Sequence, residues 1–158
     1  MKNKKKPTTL NILLSDDDTD DRFFFQKALK DIDIATNLII VNDGEQLMEY
    51  LAKNSENLPD VLFLDLSMPR KTGFECLTEI RENTKLKAMP VIMLSTSYTQ
   101  DHTYEQSIIN LLYTIGASDF IRKPNSFEKL KDLIEVTLMK VIEKKYIPFD
   151  HNGPTLQV

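Results

Sequence analysis

The chain has 158 residues, 41% of them hydrophobic and 28% charged, with a formal net charge of −4 at pH 7. That length supports one domain with a sizeable core, and the acidic balance implies no broad basic surface for nucleic acid. The single cysteine, Cys76, excludes an internal disulfide and suits a reducing compartment, and no apolar run approaches the roughly 20 residues that span a bilayer. The start, Met1-Lys2-Asn3-Lys4-Lys5-Lys6, is basic but is not followed by the apolar segment of a signal peptide. Residues 1–8 are therefore read as a solvated arm, and the protein as cytoplasmic with no membrane partner.

Leu10-Asn11-Ile12-Leu13-Leu14 predicts a first strand, stopped by five aspartates in the six positions 16–21. Phe25, Ala28, Leu29 and Ile32 then keep the i, i+3, i+4, i+7 spacing of a buried helix face. Asp18 or Thr19 can cap this helix, and Asp20 and Asp21 suit its positive N-terminal end as a solvated start. Leu38 to Val41 is a second strand, closed by the turn signal Asn42-Asp43-Gly44. A helix over Glu45 to Asn54 turns Leu47, Met48 and Leu51 inward. After the break at Leu58-Pro59-Asp60, Val61 to Asp65 is an apolar run that ends abruptly in one carboxylate.

The loop Leu66 to Thr72 carries Pro69 and leads to Gly73, and a helix follows over Phe74 to Glu82 with Phe74, Leu77 and Ile80 as its stripe. Cys76 lies on that helix without a neighbour that marks a thiolate, and is read as a small buried hydrophobe. Pro90 to Leu94 is the fourth strand, stopped by Ser95-Thr96-Ser97. The next helix places Ile108, Leu111, Leu112 and Ile115 on one face, and Gly116 ends it. Asp119 to Arg122 is a short fifth strand before Lys123-Pro124. The last helix, about Ser126 to Lys145, is N-capped by Ser126 and lines up Phe127, Leu130, Ile134, Leu138 and Val141. Residues 147–158 hold Pro148, Gly153 and Pro154 and read as a tail, which leaves 9–146 as the domain and no attached output domain. His102 and His151 lack metal-ligand spacing and are read as surface residues.

Five strands thus alternate with five helices. Apolar runs without alternation mean strands covered on both faces, hence a doubly wound α/β fold around a parallel sheet, with right-handed crossovers limiting the topology. All strands then point one way, so Asp16, Asp17, Asp65, Ser95 and Lys123 meet at one sheet edge, where ligands of such folds collect. Three adjacent carboxylates repel and raise one another's pKa values unless a cation is present. A hard divalent ion such as Mg²⁺, which accepts one or two carboxylates plus a phosphate, answers that repulsion. Lys123 adds a point charge for a phosphoryl oxygen, Ser95 adds a hydroxyl donor, and Asp65 is the carboxylate nucleophile of a phosphoryl-transfer site.

Together, Asp16-Asp17 after strand one, Asp65-Leu66-Ser67-Met68-Pro69-x-x-x-Gly73 after strand three, Ser95 after strand four and Lys123-Pro124 after strand five resemble the receiver domain of two-component response regulators. The resemblance covers about residues 9–145. The runs Asp16 to Asp21 and Met68-Pro69-Arg70-Lys71-x-Gly73 are similar to small stand-alone regulators, including partners of phytochrome-type histidine kinases. The resemblance implies a flavodoxin-like sheet of order 2-1-3-4-5. It implies that Asp65 accepts a phosphoryl group from a kinase phosphohistidine, with Mg²⁺ or Mn²⁺ bound directly by Asp17, through water by Asp16, and by the Ser67 backbone carbonyl. Ser95 would hydrogen-bond the phosphoryl group, Lys123 would pair with it, and Lys123-Pro124 would be a cis peptide. Phe120 matches an aromatic switch position that moves with Ser95 and changes the surface of helix four, strand five and helix five.

Such a protein is a phosphorylation-controlled switch in a His-to-Asp relay, acting through a protein partner or phosphotransfer rather than turning over a separate substrate. Helix five and the tail are one surface a homodimer could use. Two other readings stay open: a pseudo-receiver that acts as a constitutive interaction module, and a hydrolase working through an aspartyl-phosphate. The hydrolase reading lacks the second aspartate usual two residues after the nucleophile, a place taken here by Ser67. The 28 positions from Ser95 to Lys123 exceed the family's usual spacing, which puts the extra length in Tyr98 to Glu105. Ser67 and Ser97 occupy the places that line the path of attacking water.

Overall fold

β3 (Val61–Asp65) is the buried axis of the molecule, every one of its residues being shielded from solvent. In the computed structural model of the protein, which describes residues 9–96 and 102–149, it is flanked by β1 (Leu10–Ser15) and β4 (Val91–Ser95). β2 (Thr36–Val41) and β5 (Asp119–Arg122) form the edges, giving one parallel sheet of order β2-β1-β3-β4-β5. The doubly wound architecture and strand order are those the sequence implies.

Side chains alternate across a strand, so each apolar run supplies two cores. Ile12, Leu14, Val61, Phe63, Ile92 and Leu94 face α1 (Thr19–Asp31) and α5 (Phe127–Ile142), where Phe25, Leu29, Ile134 and Leu138 cover them. The Phe25 ring meets Phe63 edge-on at 4.9 Å between centroids. Leu13, Leu62, Leu64, Val91 and Met93 face the other way. They meet Leu47 and Leu51 of α2 (Gly44–Lys53), Leu77 and Ile80 of α3 (Gly73–Glu82), and Leu112 of α4 (His102–Ile115). Cys76 is fully buried in this second core, and burial pushes its thiol up to about 12, so it behaves as a small hydrophobe.

Local chemistry sets the element ends. Asp18 caps α1 by accepting from the Asp21 N–H at 2.9 Å. Asp43 caps α2 in the same way, which starts that helix one residue before Glu45. Thr72 and Glu75 form a reciprocal capping box at α3. α5 stops at Ile142, three residues short of the sequence expectation, because Lys144 turns left-handed at φ 55°. Leu111, expected to face the core, is 50% exposed. Successive helix residues lie about 100° apart, and Leu112 is the one pointing inward. Residues 97–101, 1–8 and 150–158 lie outside the described residues, and with them most of the expected extra loop, the water-path Ser97, His151 and the basic arm. Glu105 belongs to the first turn of α4.

At the sheet edge opposite the strand ends, Arg81 of α3 is 2% exposed. Its guanidinium donates to the carbonyls of Gly116, Lys87 and Met89 and to Ser118 Oγ. The Phe149 ring lies against it, 5.6 Å from guanidinium carbon to centroid. Nearby, Asp119 accepts from Tyr146 Oη at 2.7 Å, tying the segment after α5 back to β5. No helix among the described residues is long and apolar enough to cross a membrane.

Candidate functional site

Strand register brings the polar strand ends together. Ser15 lies opposite Leu64, so Asp16 comes level with Asp65. Asp65 lies opposite Leu94 and Ser95 opposite Arg122, so Ser95 and Lys123 follow one step further out. The backbone continues these ladders: Asp16 N–H donates to Val41 O, Leu66 N–H to Leu94 O, and Lys123 N–H to Ser95 O. The loop after β3 is closed by Gly73 N–H donating to Leu66 O at 3.0 Å. Met68 folds under it, its sulfur accepting from Ser15 Oγ.

Gly73 has no room for a side chain. A Cβ there would stand 2.4 Å from Asp65 O and 2.9 Å from Leu66 Cα, both backbone atoms that cannot step aside. Gly73→Ala is expected to cost about 1–3 kcal/mol, the range for overpacking, and to displace Asp65. Urea denaturation followed by circular dichroism reads the cost; an unchanged midpoint would mean that the loop relaxes freely.

Asp16 and Asp65 are buried, 1% and 5% exposed, whereas Asp17 is exposed. One oxygen from each of these three carboxylates can lie within 4.8 Å of the others. Lys123 Nζ donates to Asp21 Oδ2 at 2.8 Å, Asp16 Oδ2 at 2.9 Å and Asp65 Oδ1 at 3.2 Å. Burial pushes the Asp65 carboxyl up to about 7; Lys123 opposes that rise, and the charges of Asp16 and Asp17 add to it. Asp16 is raised as well, by burial against the pull of Lys123. Burial alone would lower the lysine, yet its hydrogen bond with Asp21 and the charges of Asp65 and Asp16 hold it above its ordinary value. The site is therefore short of positive charge even with its lysine in place. Hard oxygen donors, close spacing and this charge deficit fit a small divalent cation.

Asp17, Asp21, Asp65 and Lys123 line a cavity of about 420 Å³, with Ser67 and Ser95 on its wall and Ile108, Tyr104 and Phe120 closing it toward α4. Ser67 is exposed beside Asp65. The Ser95 hydroxyl donates to the Thr96 carbonyl at 3.3 Å. Phe120 is partly buried against the core below α4. Asp17, Asp65, Ser67, Ser95, Phe120 and Lys123 are thus gathered around one cavity, with Asp16 joined to them through Lys123.

One expectation is corrected. The Lys123–Pro124 bond is trans, as is every peptide bond among the described residues. Before proline the trans form is favoured by about 0.5–1 kcal/mol. With it Lys123 reaches both the Ser95 carbonyl and the carboxylates.

Two participants escape a sequence reading. Asp21 is not merely a solvated helix start, since it touches Lys123. Arg122, next to that lysine, pairs with Glu105 on the first turn of α4, its Nε donating to Glu105 Oε1 at 2.6 Å. For Asp21 a faint signal exists: it lies in the first turn of α1, directly after the strand end that carries Asp16 and Asp17.

The sequence model of the response regulator receiver domain matches residues 12–135. Response regulator Rcp1 from Synechocystis sp. is 36% identical over 140 residues, covering 86% of this chain and 88% of its own. The crystal structure of the Mn²⁺-bound form of Rcp1 superposes with a TM-score of 0.72 at 29% identity, over 89% of this chain and 99% of that one. The phosphorylated cyanobacterial phytochrome response regulator RcpA gives 0.75 at 27% identity, over 90% and 100%. Sequence match, strand order and strand-end carboxylates agree: the chain belongs to the response regulator receiver domain family.

Proposed function

We propose that the protein is a signalling switch that takes a phosphoryl group onto Asp65 from the phosphohistidine of a sensor histidine kinase. The observation that carries this reading is the buried Asp65 carboxylate with the Lys123 ammonium 3.2 Å from it, in a cavity that Ser67 and Ser95 also line. In the step, an Asp65 carboxylate oxygen attacks phosphorus and a P–O bond forms. The P–N bond to the donor imidazole breaks, its electron pair stays on the ring nitrogen, and an acyl phosphate results. Lys123 meets the charge on the phosphoryl oxygens, and Ser95 rotates from the Thr96 carbonyl to donate to one of them. Asp16, Asp17, Asp65 and the Ser67 backbone carbonyl would hold Mg²⁺ or Mn²⁺. That ion supplies neutralising charge at the carboxylates and the phosphoryl oxygens.

Phe120 and Ser95 bound the cavity on the α4 side, so the switch signal passes to α4, β5 and α5 and to a protein or phosphotransfer partner there. A phytochrome-type kinase is the donor we favour, supported by the likeness to RcpA and to the bacteriophytochrome response regulator RtBRR (TM-score 0.69 at 27% identity, over 94% of this chain and 86% of that one). Beryllofluoride or acetyl phosphate with Mg²⁺ tests the acceptor. Wild type should gain a phosphoryl mass or shift its NMR spectrum, and Asp65→Asn should do neither. An equal response from both proteins would sink the reading. Phosphotransfer profiling against a panel of histidine kinases tests the donor.

A further inference from the structure

Lys123 carries three N–H donors and meets three carboxylates. Two of these, Asp16 and Asp65, belong with Asp17 to the group whose oxygens can converge on a cation. Asp21 does not belong to it, yet it makes the shortest of the lysine's contacts, at 2.8 Å. Asp21 is itself fixed in place. It sits in the first turn of α1, its N–H donating to Asp18 Oδ1 at 2.9 Å, while Asp18 N–H donates to Asp16 Oδ1 at 3.0 Å. Arg22 of the same turn donates to the Asp16 carbonyl at 2.9 Å, which ties α1 to the strand end.

On the reading that Asp65 is the phosphoacceptor, we infer that Asp21 is a positioning residue for the transfer: it anchors the Lys123 ammonium independently of the cation, so that one N–H stays directed at Asp65. A lysine head on a four-carbon stem does not hold a direction by itself. A cation that draws on Asp16 and Asp65 takes up oxygens the lysine otherwise uses. Asp21 keeps its carboxylate for the lysine throughout. The phosphoryl oxygen then meets a donor already in place, and preorganisation of this kind lowers the barrier to transfer.

The test compares wild type, Asp21→Ala and Asp20→Ala. Asp20 lies in the same turn and is exposed, so its removal matches the loss of charge near the helix start without touching the lysine. At saturating Mg²⁺, Asp21→Ala should slow incorporation from acetyl phosphate about tenfold, while its Mg²⁺ affinity follows that of the Asp20→Ala control. In metal-free protein, the side-chain ammonium NMR signal of Lys123, identified by its loss in Lys123→Ala, should appear in wild type and Asp20→Ala and vanish in Asp21→Ala. Equal rates for the two variants, or an unchanged ammonium signal in Asp21→Ala, overturn the inference. Should wild type take up no phosphoryl group, the acceptor reading fails by itself, and the ammonium signal still decides whether Asp21 holds the lysine.

Discussion

Asp65→Asn is expected to abolish phosphoryl uptake and, in the same protein, to raise the melting temperature of the metal-free form above pH 7. Loss of uptake follows from removal of the nucleophilic oxygen. The gain in stability follows from where that oxygen sits. Burial, with Asp16 and Asp17 close by, holds the folded-state carboxyl at about 7 against an ordinary value of 3.8. An acid raised in the folded state binds its proton more tightly there than in the unfolded chain. Stability is therefore fully present below the unfolded pKa, declines as pH rises from about 4 to about 7, and is level above that. At 1.36 kcal/mol per pKa unit, ionising Asp65 in the folded protein costs roughly 4 kcal/mol. Asparagine has nothing to ionise and keeps an oxygen for Lys123.

The advantage of Asp65→Asn should accordingly be largest at pH 8, about 8–16 °C at roughly 2–4 °C per kcal/mol for a chain of this size, and should shrink toward pH 4. Saturating Mg²⁺ should stabilise wild type and narrow the gap, because a bound cation supplies the charge that the site lacks. Melting curves of both proteins in chelator and in Mg²⁺ across this pH range measure it. Identical curves at pH 8 in chelator would show that Asp65 is not held in a costly environment.

Arg81→Ala carries the second large effect, and it falls on stability alone. The guanidinium is buried, and burial lowers it to about 10. It is held by the carbonyls of Gly116 and Met89 at 2.7 Å, that of Lys87 at 2.9 Å and Ser118 Oγ at 3.3 Å. These contacts join the end of α3, the turn before β4, the end of α4 and the start of β5. Removing the side chain strips several buried acceptors of their donor and leaves a cavity behind. Losses of this kind cost about 3–5 kcal/mol. A urea midpoint shift reads the loss, and less than about 1 kcal/mol would mean that water replaces the donors freely. Arg81→Met, which keeps the apolar stem, should recover less than half. Arg81 lies at the sheet edge opposite Asp65, so variants that remain folded should still take up the phosphoryl group.

Sequence by itself determined the fold and the core of the site. Apolar runs such as Val61 to Leu64, short and bounded by turn signals, read as strands covered on both faces, and helix-length connections between them favour a parallel sheet. Once the sheet is parallel, every carboxyl end falls on one edge. Asp16, Asp17, Asp65, Ser95 and Lys123 are thereby assembled before any distance is known.

Tertiary structure alone decided the rest. Asp20 and Asp21 are the same residue type in the same helical turn. Only Asp21 reaches Lys123, a partner 102 positions away, because successive side chains on α1 point about 100° apart. Arg81 stands in the sequence between Ile80 and Glu82, as a solvated charge on a helix would, yet its partners come from residues 87, 89, 116 and 118. The Lys123–Pro124 isomers differ by about 1 kcal/mol or less in free chains, so surrounding contacts choose between them. Periodicity reports which face of an element is buried, since that face is written within one or two turns of chain. A polar group's partner is set by packing between distant segments, and no local spacing encodes it.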